Sequence, residues 1–126
     1  MSAVDLFGFD TAPERAPKKL LEAAALSEVL KALRGHASVA WAHRQNTGAA
    51  KVGGRFVRFG WKGCSDILGM MRDGRLLACE VKAPKGKLRA EQAEFLSLVQ
   101  KHGGVGFVAR NCLDVLNGLK DCPPGE

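Results

Sequence analysis

Three residues, Arg72-Asp73-Gly74, separate two short, mostly apolar runs, Asp66 to Met71 and Arg75 to Lys82, and they constrain this chain more than any other feature. A three-residue hairpin loop with glycine at its left-handed position joins antiparallel neighbours and fixes their register. Met71 then faces Arg75, and counting back along the ladder brings Asp66 directly opposite Glu80. Their Cβ atoms should lie about 4.5 to 5.5 Å apart on one face of the sheet. Side chains alternate along a strand, so Lys82 shares the face of Glu80 while Val81 enters the opposite layer. A slip of one residue would set Asp66 against Val81 and undo the arrangement.

The remaining segments supply a frame for this hairpin. Lys18 to Leu33 keeps Leu20, Ala24, Leu26, Leu30 and Leu33 at helical spacing, and Gly35 is a natural stop. Ser38 to Arg44 alternates as a strand, Asn46-Thr47-Gly48 interrupts it, and the Gly53-Gly54 pair leads into a further strand, Arg55 to Phe59. Lys87 to His102 places Leu88, Phe95, Leu98 and Val99 at helical spacing before Gly103-Gly104. Val105 to Ala109 then reads as a strand and Leu113 to Leu119 as a short helix. The predicted order is α-β-β-β-β-α-β-α, an α/β fold with a mixed sheet of about four to five strands flanked by helices. Residues 1–17, with Gly8, Pro13 and Pro17, read as a flexible arm, 18–121 as the domain and 122–126 as a tail. No run approaches the roughly 20 apolar residues of a membrane span. Asp5 and Asp10 stand where a signal peptide is basic, so the expected location is the cytoplasm.

Two facing carboxylates repel unless a cation, a shared proton or an ion pair with Lys82 neutralises them. A hard divalent cation, Mg²⁺ or Mn²⁺, suits Asp66 and Glu80, with the Val81 carbonyl and water completing the shell. Such an ion polarises a phosphodiester and acidifies an attacking water, while Lys82 orients that water or stabilises charge in the transition state. The bland reading, a cross-strand ion pair on an exposed strand, fits Glu-x-Lys taken alone. The charge distribution favours the chemical one. The net charge is +6, and between Arg44 and Arg89 eleven basic residues face three acidic ones, a footprint suited to a phosphate backbone. Paired carboxylates also serve glycosidases, but a chain with no Tyr and two Trp lacks the usual sugar-stacking surface. The cysteines, Cys64, Cys79, Cys112 and Cys122, have no zinc-ligand spacing with His36, His43 or His102 and read as free thiols.

Four ordered blocks resemble a known family: Gly63-Cys64-Ser65-Asp66-Ile67, Cys79-Glu80-Val81-Lys82, Gly86-Lys87-Leu88-Arg89-Ala90-Glu91-Gln92 and Gly103-Gly104-Val105. The likeness is to the VRR-NUC (virus-type replication-repair nuclease) branch of the PD-(D/E)xK nuclease superfamily, over roughly residues 18 to 112. It implies a restriction-endonuclease-like core in which Asp66 and Glu80 bind the metal and Lys82 serves hydrolysis. The family's helix-one Glu falls on Glu28, which would hold a water on the cation or a second ion. Its Gln after the Lys falls on Gln92, which would orient the scissile phosphate or Lys82. Ser65 stands where the superfamily name has Pro. Small stand-alone members are dimers associated with four-way (Holliday) junctions, so the resemblance implies a homodimer cutting branched DNA, with flap or end cleavage as the alternative of the same chemistry. A DNA-binding module without hydrolysis is the alternative from another class.

Arg44, Asn46, Lys51, Arg55, Arg58, Lys62, Lys85, Lys87 and Arg89 are the candidate DNA contacts. Trp41 and Trp61 are expected in the core rather than stacked on bases. In the arm, Val4-Asp5-Leu6-Phe7 resembles the end of the Gln-Leu-Asp-Leu-Phe type of peptide that docks on bacterial sliding clamps, with Ala3 in place of the Gln.

Overall fold

A computed structural model describes residues 18–45, 48–59 and 61–123. The arm with Val4 to Phe7, Asn46, Thr47, Gly60, the Arg58 side chain and residues 124–126 lie outside the described residues. Nine elements follow in order: α1 (Lys18–Gly35), β1 (Val39–Arg44), β2 (Gly48–Val52), β3 (Arg55–Phe59), β4 (Ile67–Met71), β5 (Leu76–Val81), α2 (Ala90–Lys101), β6 (Val105–Ala109) and α3 (Cys112–Leu119).

The hairpin is the centre of the molecule. β4 and β5 pair antiparallel as Ile67↔Cys79 through Met70↔Leu76, the register that the loop dictates, and Gly74 takes a φ of 92°. β1 adds antiparallel on the far side of β4, and β6 lies parallel to β5. The result is a mixed four-stranded sheet, β1-β4-β5-β6. A parallel neighbour needs a crossover, and α2 provides it between β5 and β6.

Alternation along β5 divides the core. Leu77, Cys79 and Val81 pack beneath α1 and α3 with Val29, Leu33, Ile67, Val115 and Leu119. Ala78 faces the other way, against Leu96 and Val99 of α2. The sheet is therefore covered by α1 and α3 on one side and by α2 on the other. Cys79 is fully buried, and burial pushes its thiol well up from the usual range, so it packs as a small apolar side chain. None of the four cysteines is in a disulfide.

Three expectations need correction. Gly48–Val52 is a strand, paired antiparallel with β3 in a separate two-stranded sheet; Gly53 and Gly54, at φ 56° and 79°, turn the chain where side chains alone gave no strand signal. Lys87 and Leu88 precede α2 rather than beginning it, because Arg89 is extended at φ −81°, ψ 157°. Trp41 and Trp61 are not core residues: they are 43% and 51% exposed. The register of β1 shifts between Val39 and Trp41, which turns the Trp41 ring outward beside His43 and breaks the alternation expected of that strand. Trp61 lies in a loop, edge-on to Phe95 at 5.8 Å. At the other end, the Cys122 carbonyl accepts a hydrogen bond from Ser38 Oγ at 3.1 Å. No helix of the described residues is long and apolar enough to cross a membrane.

Candidate active site

At the carboxyl end of β5 the α2-facing side of the strand stops being apolar. Ala78 is followed on that face by Glu80 and Lys82, 1% and 8% exposed. Glu80 Oε1 accepts from Gln92 Nε2 at 2.9 Å and lies 3.8 Å from Lys82 Nζ, whereas Oε2 is buried with no hydrogen-bond partner. Gln92 is held in turn, its Oε1 accepting from the Arg89 N–H at 2.9 Å. Asp66, one position before β4, continues the ladder opposite Glu80, and its Oδ2 accepts from the Val81 N–H at 2.8 Å. Gln45 N–H closes on the Asp66 carbonyl at 2.7 Å. The approach to Asp66 needs a glycine: Gly63 has φ 89°, and a Cβ there would sit 2.7 Å from the Glu91 carbonyl.

Burial first, and the Asp66 carboxyl second, push Glu80 up from 4.5 to about 8, with Lys82 pulling the other way. Its proton is therefore held in the folded, metal-free protein at pH values where the unfolded chain has released it. The native state binds more protons across that window, so this group's contribution to stability falls as pH rises from about 4.5 to about 8. Glu80→Gln removes the fall. In EDTA, urea midpoints should show the variant gaining on wild type by on the order of a few kcal/mol between about pH 5 and about pH 9. Equal pH slopes for the two proteins would mean that Glu80 is not buried as described.

Around the pair lies a cleft of about 390 Å³, lined by Glu22, Lys62, Gly63, Asp66, Glu80, Lys82, Arg89 and Gln92 among others. An adjoining hollow places Lys19 and Arg44 beside Asp66 and Val81. The structure thus brings together Asp66, Glu80, Val81, Lys82 and Gln92, with Arg44, Lys62 and Arg89 at the rim. Lys51 and Arg55 are exposed on the β2–β3 ribbon, and Lys85 and Lys87 on the loop after β5. A larger hollow of about 510 Å³ near the β4–β5 turn contains Asp73, already paired with Arg75 at 2.8 Å, and has no second carboxylate.

Glu28 is not in the cleft. Its carboxylate accepts from the Cys112 N–H at 2.7 Å, at the start of α3, where a negative charge meets the positive end of the helix dipole. The acid that α1 turns toward Asp66 is Glu22. It was visible in sequence as the acid on the same stripe as Ala25, Leu26, Val29 and Leu33, seven residues before Val29 and hence nearly in line with it. Glu28→Ala should cost about 1 kcal/mol in denaturant stability without slowing cleavage. Glu22→Gln should slow cleavage by roughly tenfold with stability unchanged. The reverse pattern would return the helix-one role to Glu28.

A mixed sheet whose central hairpin sets Asp66 beside Glu80-Val81-Lys82 in a cleft with Arg44, Lys62 and Arg89 at its rim defines a restriction-endonuclease-like core, the scaffold of a class of nucleases. The chain belongs to the VRR-NUC domain family, whose family model matches residues 18–111. None of the curated proteins matches this chain, nor does any solved structure.

Proposed function

We propose that this protein is a Mg²⁺- or Mn²⁺-dependent deoxyribonuclease that hydrolyses phosphodiester bonds in branched DNA, acting on four-way junctions as a homodimer. The observation that carries the reading is Glu80 itself: a buried carboxylate with an unpartnered Oε2, pressed against a second carboxyl and a lysine. A buried charge in that state costs stability unless a cation completes it. The donor set fits a hard divalent ion. Asp66 and Glu80 offer oxygens, with the Val81 carbonyl as a further one, and among the described residues no group of three or more His, Cys, Asp or Glu offers a softer or more complete cage. Mg²⁺ is commonly held this way, by one or two carboxylates with substrate phosphate and water filling the rest. Bound there, the ion would supply Lewis-acid polarisation of the scissile phosphate and a more acidic water.

The chain's own residues divide the other tasks. Gln92 donates to one oxygen of Glu80 and leaves the other without a partner, the oxygen that would bind the cation. Lys82 places a positive charge beside the pair, where it steadies charge growing on the phosphate oxygens as the water oxygen bonds to phosphorus and the ester P–O bond breaks. Arg44, Lys62 and Arg89 line the approach and hold the flanking backbone. A two-fold dimer sets two such sites on two strands, which symmetric resolution of a junction requires.

Labelled four-way junction, flap, duplex and single-stranded DNA, each incubated with Mg²⁺, Mn²⁺ or EDTA, test this directly. Paired nicks in the junction, lost in EDTA, are the expected result. Cutting confined to flaps or ends keeps the chemistry and removes the junction assignment. Binding without cutting under every metal overturns the nuclease reading in favour of a DNA-binding module.

A further inference from the structure

The β2–β3 ribbon hydrogen-bonds to no strand of the main sheet, yet it is rooted at the cleft. Its first foot follows Gln45, which is bonded to the Asp66 carbonyl; its second leads to Trp61 and Lys62, the latter lining the cleft. Two properties set this ribbon apart. From Asn46 to Ser65 the sequence has four basic residues and no acidic one. Near its tip Val52 and Phe56 are 60% and 78% exposed, and Phe56 is the most exposed large apolar side chain among the described residues. Lys51 and Phe56 are cross-strand partners, as are Val52 and Arg55, so near the tip one face of the ribbon sets the Phe56 ring beside the Lys51 cation and the other sets Arg55 beside Val52.

A solvated basic hairpin has no reason to display a phenylalanine, and an apolar docking patch for a protein has no reason to exclude every acid. A nucleic-acid arm accounts for both. A two-stranded ribbon fits the major groove of a duplex, cations take the phosphates, and an aromatic ring stacks on a base face wherever pairing stops. We propose that the β2–β3 ribbon reads branched DNA: Lys51 and Arg55 hold the duplex arm leading to the cleft, and Phe56 stacks on the base pair exposed at the branch. The inference rests on the nuclease reading for what lies at the ribbon's foot, but its test needs no hydrolysis.

The test is binding in EDTA. Fluorescence anisotropy of a four-way junction and of a linear duplex of the same sequence is titrated with the full chain as wild type, Phe56→Ala, Phe56→Trp and Lys51→Ala/Arg55→Ala. Wild type should prefer the junction, and Phe56→Ala should cut that preference by roughly tenfold while Phe56→Trp keeps it. The melting temperature should not move, because the ring is exposed. The double variant should weaken binding to both DNAs and reduce the slope of log affinity against log salt by about two. A wild type without junction preference, a Phe56→Ala protein that keeps it, or an unchanged salt slope would each overturn the proposal. If Phe56→Ala instead halves the sedimentation mass, the ribbon binds a second copy of the chain and the DNA role is overturned. Because no strand is cut, failure here leaves the nuclease reading intact, and failure of cleavage leaves this result standing.

Discussion

Glu80→Ala is expected to lower single-turnover cleavage at saturating Mg²⁺ by about three orders of magnitude, and Asp66→Asn by a similar factor. The size follows from what each carboxylate does. In the proposed site Glu80 would give a cation an oxygen that has no hydrogen-bond partner, and Asp66 is fixed against the Val81 N–H, so neither would be replaced by a shift of its neighbour. DNA affinity should move the other way. In EDTA neither variant adds charge that opposes a phosphate, since Glu80 holds its proton below about pH 8 and Asp66→Asn replaces a carboxyl by a neutral amide, so binding to uncut DNA should stay level or tighten. Slow cleavage with tight binding separates loss of chemistry from loss of fold. If Glu80→Ala cleaves within tenfold of wild type, the site does not lie at this pair.

The hairpin was legible because it is a local problem. A three-residue loop ending in glycine has few solutions, and the Ile67↔Cys79 ladder that it imposes carries Asp66 to Glu80 without reference to the rest of the chain. Lys82 came with Glu80 by alternation alone. The Gln92 contact needed the family likeness, since nothing in the period of α2 says which of its first-turn residues meets β5. What sequence reading missed depends on relations between elements. A helix wheel puts Glu22 on the apolar stripe of α1, but only the direction in which α1 lies across the sheet decides that Glu22 reaches the cleft and Glu28 caps α3. β2 was missed for a different reason. Gly48-Ala49-Ala50 has little intrinsic strand preference, and it pairs because a two-glycine turn delivers it to Arg55–Phe59. Trp41 was misplaced by a shift in register, which no alternation pattern reveals.

Lys82→Ala is expected to reduce the cleavage rate by about two to three orders of magnitude with little change in KM, and it distinguishes two roles that the structure alone superimposes. Lys82 Nζ sits 3.8 Å from Glu80 Oε1, with only a tenth of the side chain exposed, so a purely structural ion pair would give the same geometry. The two roles diverge when the lysine is removed. A structural partner lost would leave Glu80 less stable as an anion, raise its pKa further and cost folding stability in EDTA, all of which a saturating divalent cation should offset because the cation replaces the missing charge. Cleavage would then recover as metal is added. A lysine that steadies the phosphate cannot be replaced in this way: removing it should leave Mn²⁺ affinity equal or higher, since one repelling charge is gone, while the rate stays low at any metal concentration. Lys82→Arg sharpens the comparison, because it keeps the charge beside Glu80 but widens and reshapes the head group within a buried slot. It should restore the stability profile and leave most of the rate missing, and a Lys82→Arg protein that cuts as fast as wild type would reduce the lysine to a charge that any cation can supply.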